Sequence, residues 1–206
     1  MSELVNNLNY YQKDALKEIG NIGAGNAATA FAQLLDKKIE MTVPSVDIVP
    51  IEEVPEVTGG IEQQVLSVFL KVIGEAPGSI LLILSENSTR NLLEMILYKK
   101  IDLEKIDEVE ISAVKEIGNI LSGSYLNAIN QMTGLNLFQS IPAFSYDMAG
   151  AILGSSMINI SVESDNALLI ETQFKYGNNE IEGYFFFIPN PGSLEKILKS
   201  LGFDTK

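Results

Sequence analysis

At 206 residues, 46% of them hydrophobic, the chain is long and apolar enough to bury its own core and is not a disordered segment. Its 14 basic and 27 acidic residues leave a net charge of −13, which argues against nonspecific binding to nucleic acid or an anionic membrane; an acidic surface serves solubility first, and otherwise suits a cationic or metal-bearing partner. With no Cys and no His, disulfides, thiol nucleophiles, imidazole bases and ordinary zinc sites are excluded, so any chemistry must run on carboxylates, amides, hydroxyls, amines or backbone.

Met1 to Asn9 is polar, without the basic-then-apolar pattern of a signal, and no apolar run approaches ~18 residues; a soluble, cytoplasmic protein is expected. From about Asn9, a possible N-cap, to Leu35 the sequence predicts a helix with an Ala-rich second half. Asp14, Glu18 and Asn21 share one face of it at i, i+4 and i+7. Leu16, Gly20, Gly23 and Ala27 fall on roughly the opposite side. Each interior Gly costs about 1 kcal/mol relative to Ala, so that stripe predicts a neighbour packed close to the helix backbone. Lys38 to Pro50 is rich in β-branched residues and reads as a strand broken at Pro44. Ile51 to Gln64 is acidic and turn-rich. Strands over Val65–Ile73 and Gly78–Leu84 are joined by a hairpin around Gly74 to Pro77. A helix capped by Ser85 or Asn87 then runs to about Tyr98.

The chain now repeats itself. Glu18-Ile19-Gly20-Asn21-Ile22 returns unchanged as Glu116-Ile117-Gly118-Asn119-Ile120, 98 positions later, which signals two copies of one structural unit. Lys17 is answered by Lys115, Gly25 by Gly123, Ala30 by Ala128 and Pro44 by Pro142, and Ser112 takes the place of Asp14. Asp102 to Glu108 leads into a second long helix reaching about Met132. Strands are expected over Ala143–Ser161, Ala167–Tyr176 and Glu182–Ile188, the last two joined by a turn around Gly177 to Asn179. A final helix should follow, with Asn190 as N-cap and Pro191 at its first position. Gly183 matches Gly78 at an offset of 105, so the second half carries about seven extra residues before its hairpin. The expected fold is α+β: one internally duplicated domain over 1–206, with halves of roughly 9–100 and 107–201 and the strands merging into one sheet.

A carboxylate three residues from a carboxamide on a helix can meet one small target without bending the backbone. The carboxylate can grip a cation or accept a proton, and the carboxamide both donates and accepts, so it can orient a water. An Asn cannot deprotonate that water. The pair therefore suits an already reactive electrophile, such as an acyl phosphate, where alignment supplies most of the rate. A single Glu-x-x-Asn on a helix is also ordinary solvated surface, and duplication preserves packing residues such as Ile19, Gly20 and Ile22 as well. Packing accounts for Gly20 and the two Ile better than for a charged residue and an Asn, a poor helix former, kept twice on the opposite flank; spacing alone leaves a functional pair and solvated surface both open.

The pattern (Asp or Ser)-x-x-x-Glu-x-x-Asn, then twenty-two residues and Pro, present in both halves, closely resembles the CheC family of chemotaxis phosphatases. The resemblance extends over essentially the full chain and includes the ending Ile188-Pro189-Asn190-Pro191-Gly192. It implies an α/β fold with pseudo-twofold symmetry, a central, largely antiparallel sheet, and two long helices side by side on one surface. It also implies hydrolysis of the aspartyl phosphate of the response regulator CheY, which is held beside a magnesium ion and a Lys. Glu18 and Glu116 would engage that Lys, Asn21 and Asn119 would align the attacking water, and Asp14 and Ser112 would help dock or orient. Pro44 and Pro142 would shape the scaffold. No cofactor of the chain's own is implied, the magnesium belonging to phosphorylated CheY. The receptor deamidase CheD is an expected partner, nucleic acid and membranes are not, and the chain alone is expected to be monomeric.

Two other readings compete: a noncatalytic module binding phosphorylated CheY, related to the flagellar switch proteins that share this fold, and a catalytic switch-complex phosphatase. Loss of Glu or Asn from the motif would favour the first, and both pairs are present. A further C-terminal domain would be expected for either, whereas the sequence ends after one helix at Lys206. Ser112 for Asp14 and Ser124 for Asn26 leave both pairs intact but leave their relative activity open.

Overall fold

The computed structural model describes residues 8–36, 38–159, 166–176 and 179–204. Two 26-residue helices dominate it, α1 (Tyr10–Leu35) and α4 (Glu108–Thr133), and each starts on a reciprocal cap. Asn9 Oδ1 accepts from the Gln12 amide at 3.0 Å while Gln12 Oε1 accepts from the Asn9 amide at 2.9 Å. Asp107 and Glu110 do the same, at 2.9 and 3.0 Å. Each pair satisfies donors that a helix start otherwise leaves orphaned. Both helices end on a left-handed residue, Asp36 at φ 49° and Gly134 at φ 72°.

Among the described residues eight strands form one antiparallel sheet: β1 (Glu40–Thr42), β2 (Val46–Pro50), β3 (Gln64–Gly74), β4 (Gly78–Ser85), β5 (Leu137–Gln139), β6 (Ala143–Met148), β7 (Asn166–Tyr176) and β8 (Asn179–Pro189). The order is β1-β7-β8-β4-β3-β5, with β2 also on β7 and β6 also on β3. Hairpins β3–β4 and β7–β8 meet at the centre, where Leu81 lies opposite Phe186. β4 is buried on both faces, which its near-continuous apolar run Ile80 to Leu84 requires. Ile80, Leu82 and Leu84 join the large core under α1, α4, α3 (Glu86–Leu97) and α6 (Ser193–Ser200). Leu81 and Ile83 join a smaller core on the other face, covered by Ile51, by Val54 of α2 (Val54–Val57), and by Ala149, Ile152 and Leu153 of α5 (Ala149–Asn159).

The element order of the first half, long helix, two short strands, short helix, long hairpin, helix, recurs in the second. Pro44 divides β1 from β2 as expected, and Ser85 caps α3 by accepting from the Ser88 amide at 3.1 Å. Three expectations need correction. The strand read over Ala143–Ser161 stops at Met148, and helix α5 follows, because Ala149, Ile152 and Leu153 present an i, i+3, i+4 stripe that buries on the sheet. A short strand, β5, precedes it at Leu137–Gln139, where none was expected. The last helix begins at Ser193 and not at Pro191. The Asn190 amide and the Ser193 hydroxyl both donate to Pro77 O, at 3.0 and 2.7 Å, and Gly192 takes φ 83°, so a pinned turn delays the helix. Gly177 and Asn178 of the expected turn, Met1 to Asn7, and Ile160 and Ser161 lie outside the described residues.

Candidate active site

α1 and α4 run antiparallel in contact on one face of the sheet. A Cβ on Gly23 would collide with the Tyr125 ring, while Leu34 and Leu35 share a depression with Ala113 and Ile117. From these two levels Asn21 and Asn119 are offset by roughly 12 Å along the helix axes, at 1.5 Å per residue. The motif glycines do what the thin flank predicted. A Cβ on Gly118 would sit 2.5 Å from Val68 Cγ1, and one on Gly20 would sit 3.3 Å from Val43 Cγ1 and 3.6 Å from Ile170 Cγ2. Gly20 and Gly118 thus seat the helices on β7 and β3 and turn the opposite flanks outward.

On those flanks Asp14, Glu18, Asn21, Ser112 and Glu116 are exposed, and Asn119 is half-buried. Among the described residues Glu18, Asn21 and Glu116 have no hydrogen-bond or ion-pair partner. The two copies nevertheless differ. In the first, the β1–β2 segment closes down on α1: Lys17 Nζ donates to Pro44 O at 3.0 Å, Lys13 pairs with Asp47 at 2.6 Å, and Val43 is buried against Gly20. In the second, Ile141, the counterpart of Val43, is 91% exposed and does not cover the motif glycine Gly118, which rests on Val68 instead. The result is a groove of about 470 Å³ lined by Ser112, Lys115, Glu116, Asn119, Gln139, Ser140, Ile141 and Pro142. Pro142, read from sequence as scaffold, is part of its wall.

β5 forms that wall and is fixed from both sides. Asn130 Nδ2 donates to Leu137 O while its Oδ1 accepts from the Leu137 amide, both at 3.0 Å. Lys71 N donates to Ser140 Oγ at 2.9 Å, and Ser140 N to Lys71 O at 2.8 Å. Gln139, at the end of the strand, reaches α4: its Nε2 donates to Asn119 Oδ1 at 2.6 Å and to Asn119 O at 3.0 Å. Sequence comparison of the halves passes over Gln139 because Met41 stands at its position in the first copy. The only trace is that break in the repeat.

Among the described residues no three Asp or Glu side chains gather as a metal site, and no helix is long and apolar enough to cross a membrane. What the arrangement offers is two outward Glu–Asn pairs, one of them at the floor of a groove, each able to present a carboxylate and a carboxamide to a visiting group.

The sequence profile of the CheC-like family matches residues 12–48 and 109–146, the two long helices with the short strands that follow them. The chain is similar to the CheY-P phosphatase CheC of Bacillus subtilis (strain 168), with 35% identity over 204 residues that cover 97% of this chain and 98% of that one. In fold it resembles the crystal structure of Thermotoga maritima FliY, at a TM-score of 0.76 and 20% identity, covering 95% of this chain and 98% of that one. It also resembles the FliM middle domain from H. pylori, at a TM-score of 0.69 and 10% identity, covering 94% and 99%.

Proposed function

The chain belongs to the CheC-like family, and from that premise we propose that it is a phosphatase hydrolysing the aspartyl phosphate of the response regulator CheY. The observation that carries the reading is that both Glu–Asn pairs stand on outward flanks of adjacent helices, open to a visitor, while the glycines between them hold the helices to the sheet. Glu18 or Glu116 pairs with the Lys beside the regulator's phosphoryl group, and this ion pair docks the helix. Asn21 or Asn119 enters the phosphoryl pocket and holds a water in line with the P–O bond to the aspartyl carboxylate. Asp14 and Ser112, one turn before the glutamates, assist docking. The magnesium in this scheme is the regulator's.

The reaction needs no strong base. Water oxygen bonds to phosphorus, the bond from phosphorus to the aspartyl oxygen breaks, and both water protons finish on the released phosphate, leaving a free carboxylate. The leaving group is stable, so alignment and charge complementarity supply the acceleration, which a chain without His or Cys can provide. The test is the decay of phosphorylated CheY with and without the protein. Acceleration is expected from the parent and from each of Asn21→Ala and Asn119→Ala. It should vanish in the doubly substituted chain, whose circular dichroism stays native. Losing a water-aligning amide is worth on the order of 3 kcal/mol, roughly a hundredfold in the rate at that site. Full acceleration by the double variant would overturn the reading.

A further inference from the structure

We propose that Gln139 is a positioning residue of the second site, fixing the carboxamide of Asn119 so that its NH₂ end faces the groove; the inference rests on the water-aligning role given to Asn119 above. The orientation follows from donor and acceptor chemistry. A backbone carbonyl only accepts, so the Gln139 atom 3.0 Å from Asn119 O is the amide nitrogen, Nε2. The same nitrogen lies 2.6 Å from the Asn119 side chain, so the atom it meets there must also be an acceptor, Oδ1. Asn119 Nδ2 is thereby turned away from the strand. Among the described residues it has no partner and is not a sealed, unsatisfied atom, and Asn119 lines the groove. A group aligning water or a phosphoryl oxygen from this position does so as a donor.

The geometry that permits the contact is local. Gln139 lies over α4 at Gly123, where a Cβ would stand 3.4 Å from both Nε2 and Oε1. Gly25, the counterpart in α1, has nothing within 4 Å, and Met41 occupies the position of Gln139. Asn21 is exposed and has no partner among the described residues, so no contact fixes which end of its carboxamide faces outward. The two motifs are identical in sequence but differ in preorganisation, and a side chain already held loses less rotational freedom in the reaction.

The experiment isolates the second site in an Asn21→Ala background and adds Gln139→Met, the residue the first copy carries, or Gln139→Glu. For Gln139→Met the turnover number for phosphorylated CheY should fall about fivefold with KM nearly unchanged, the loss expected from freeing one side chain. Gln139→Glu has the same shape but accepts instead of donating, so it should draw Nδ2 toward the strand and lower turnover at least as far. In an Asn119→Ala background neither substitution should alter the remaining activity. The Asn119 side-chain amide signals in NMR should be dispersed in the parent and move to free-amide positions in Gln139→Met. The inference is overturned if turnover in the Asn21→Ala background is unchanged by both substitutions, or if the loss is equal in the Asn119→Ala background. Full activity in the Asn21→Ala/Asn119→Ala chain is a separate result that removes the functional reading, and with it this one.

Discussion

Gly118 and Gly25 sit in corresponding helices and predict opposite outcomes for the same substitution. At Gly118 a Cβ would fall 2.5 Å from Val68 Cγ1 and 3.0 Å from Val68 Cβ, on a stiff β-branched side chain that cannot swing aside. Gly118→Ala should therefore lower stability by about 2 kcal/mol, because overpacking outweighs the helix propensity gained. Gly25 has open space around it and an unstrained φ, so Gly25→Ala should raise stability by roughly 0.5–1 kcal/mol. Thermal denaturation separates the two, since each kcal/mol moves the midpoint of a chain this size by about 2–4 °C. Tyr125 gives a residue-scale prediction in pH. Its hydroxyl lies 2.9 Å from Thr172 Oγ1 in the core, and burial, only partly opposed by that hydrogen bond, pushes the phenol up to about 12. A folded pKa above the unfolded value near 10 means the stabilisation is complete below pH ~10 and is lost as pH rises toward ~12. Urea titrations of the parent should lose on the order of 2 kcal/mol across that window. Tyr125→Phe, about 1 kcal/mol less stable at neutral pH, should show a flatter alkaline limb.

At the scale of elements, the reciprocal caps matter because each long helix has a glycine-bearing middle and relies on its start. Asn9→Ala removes the acceptor for the Gln12 amide and should cost about 1 kcal/mol, read as a lower denaturation midpoint with unchanged helical content below it. The elements that were legible in sequence were those with a long period or punctuation. They include α1 and α4 from their caps and the repeated pentapeptide, the hairpin strands from apolar runs around Gly74 and Pro77, and the break at Pro44. The segment after Met148 was misread because its apolar letters are consistent with a strand. Its Ala149, Ile152 and Leu153 do carry helical spacing, but over so short an apolar stretch a strand and a buried helix are hard to tell apart, and burial on the second face of the sheet decides for the helix. β5 was missed because three residues carry little pattern, and it exists through pairing with Val72, Ile73 and Gly74. At the site, the motif residues and their outward face were readable from spacing. The groove and Gln139 were not, because they arise where the two copies stop being alike.

The whole molecule is held together by an exchange of strands between its halves. β1 and β2, which follow α1, pair with β7 of the second half, Val46 to Pro50 lying against Ile170 to Asn166. β5 and β6, which follow α4, pair with β3 of the first half, with Phe69 opposite Ala143 and Gln64 opposite Met148. The central β4–β8 pairing also joins the halves. Gly118 rests on Val68 of the first half and Gly20 touches Ile170 of the second, so each site helix is seated on the other half's hairpin. A half taken alone would leave the edges of its hairpin unpaired and its long helix without a floor, exposing apolar surface that single hairpins and helices cannot compensate. Chains ending or beginning between Tyr98 and Asp107 should thus be unfolded separately by circular dichroism and amide dispersion. Mixed from denaturant, the two pieces should assemble one to one and recover native spectra. The intact chain should unfold in a single cooperative transition, with fluorescence and far-ultraviolet midpoints coinciding. A first-half fragment that folds alone, with dispersed amide signals and its own melting transition, would show that the duplicated units are independent and that strand exchange is not what stabilises the fold.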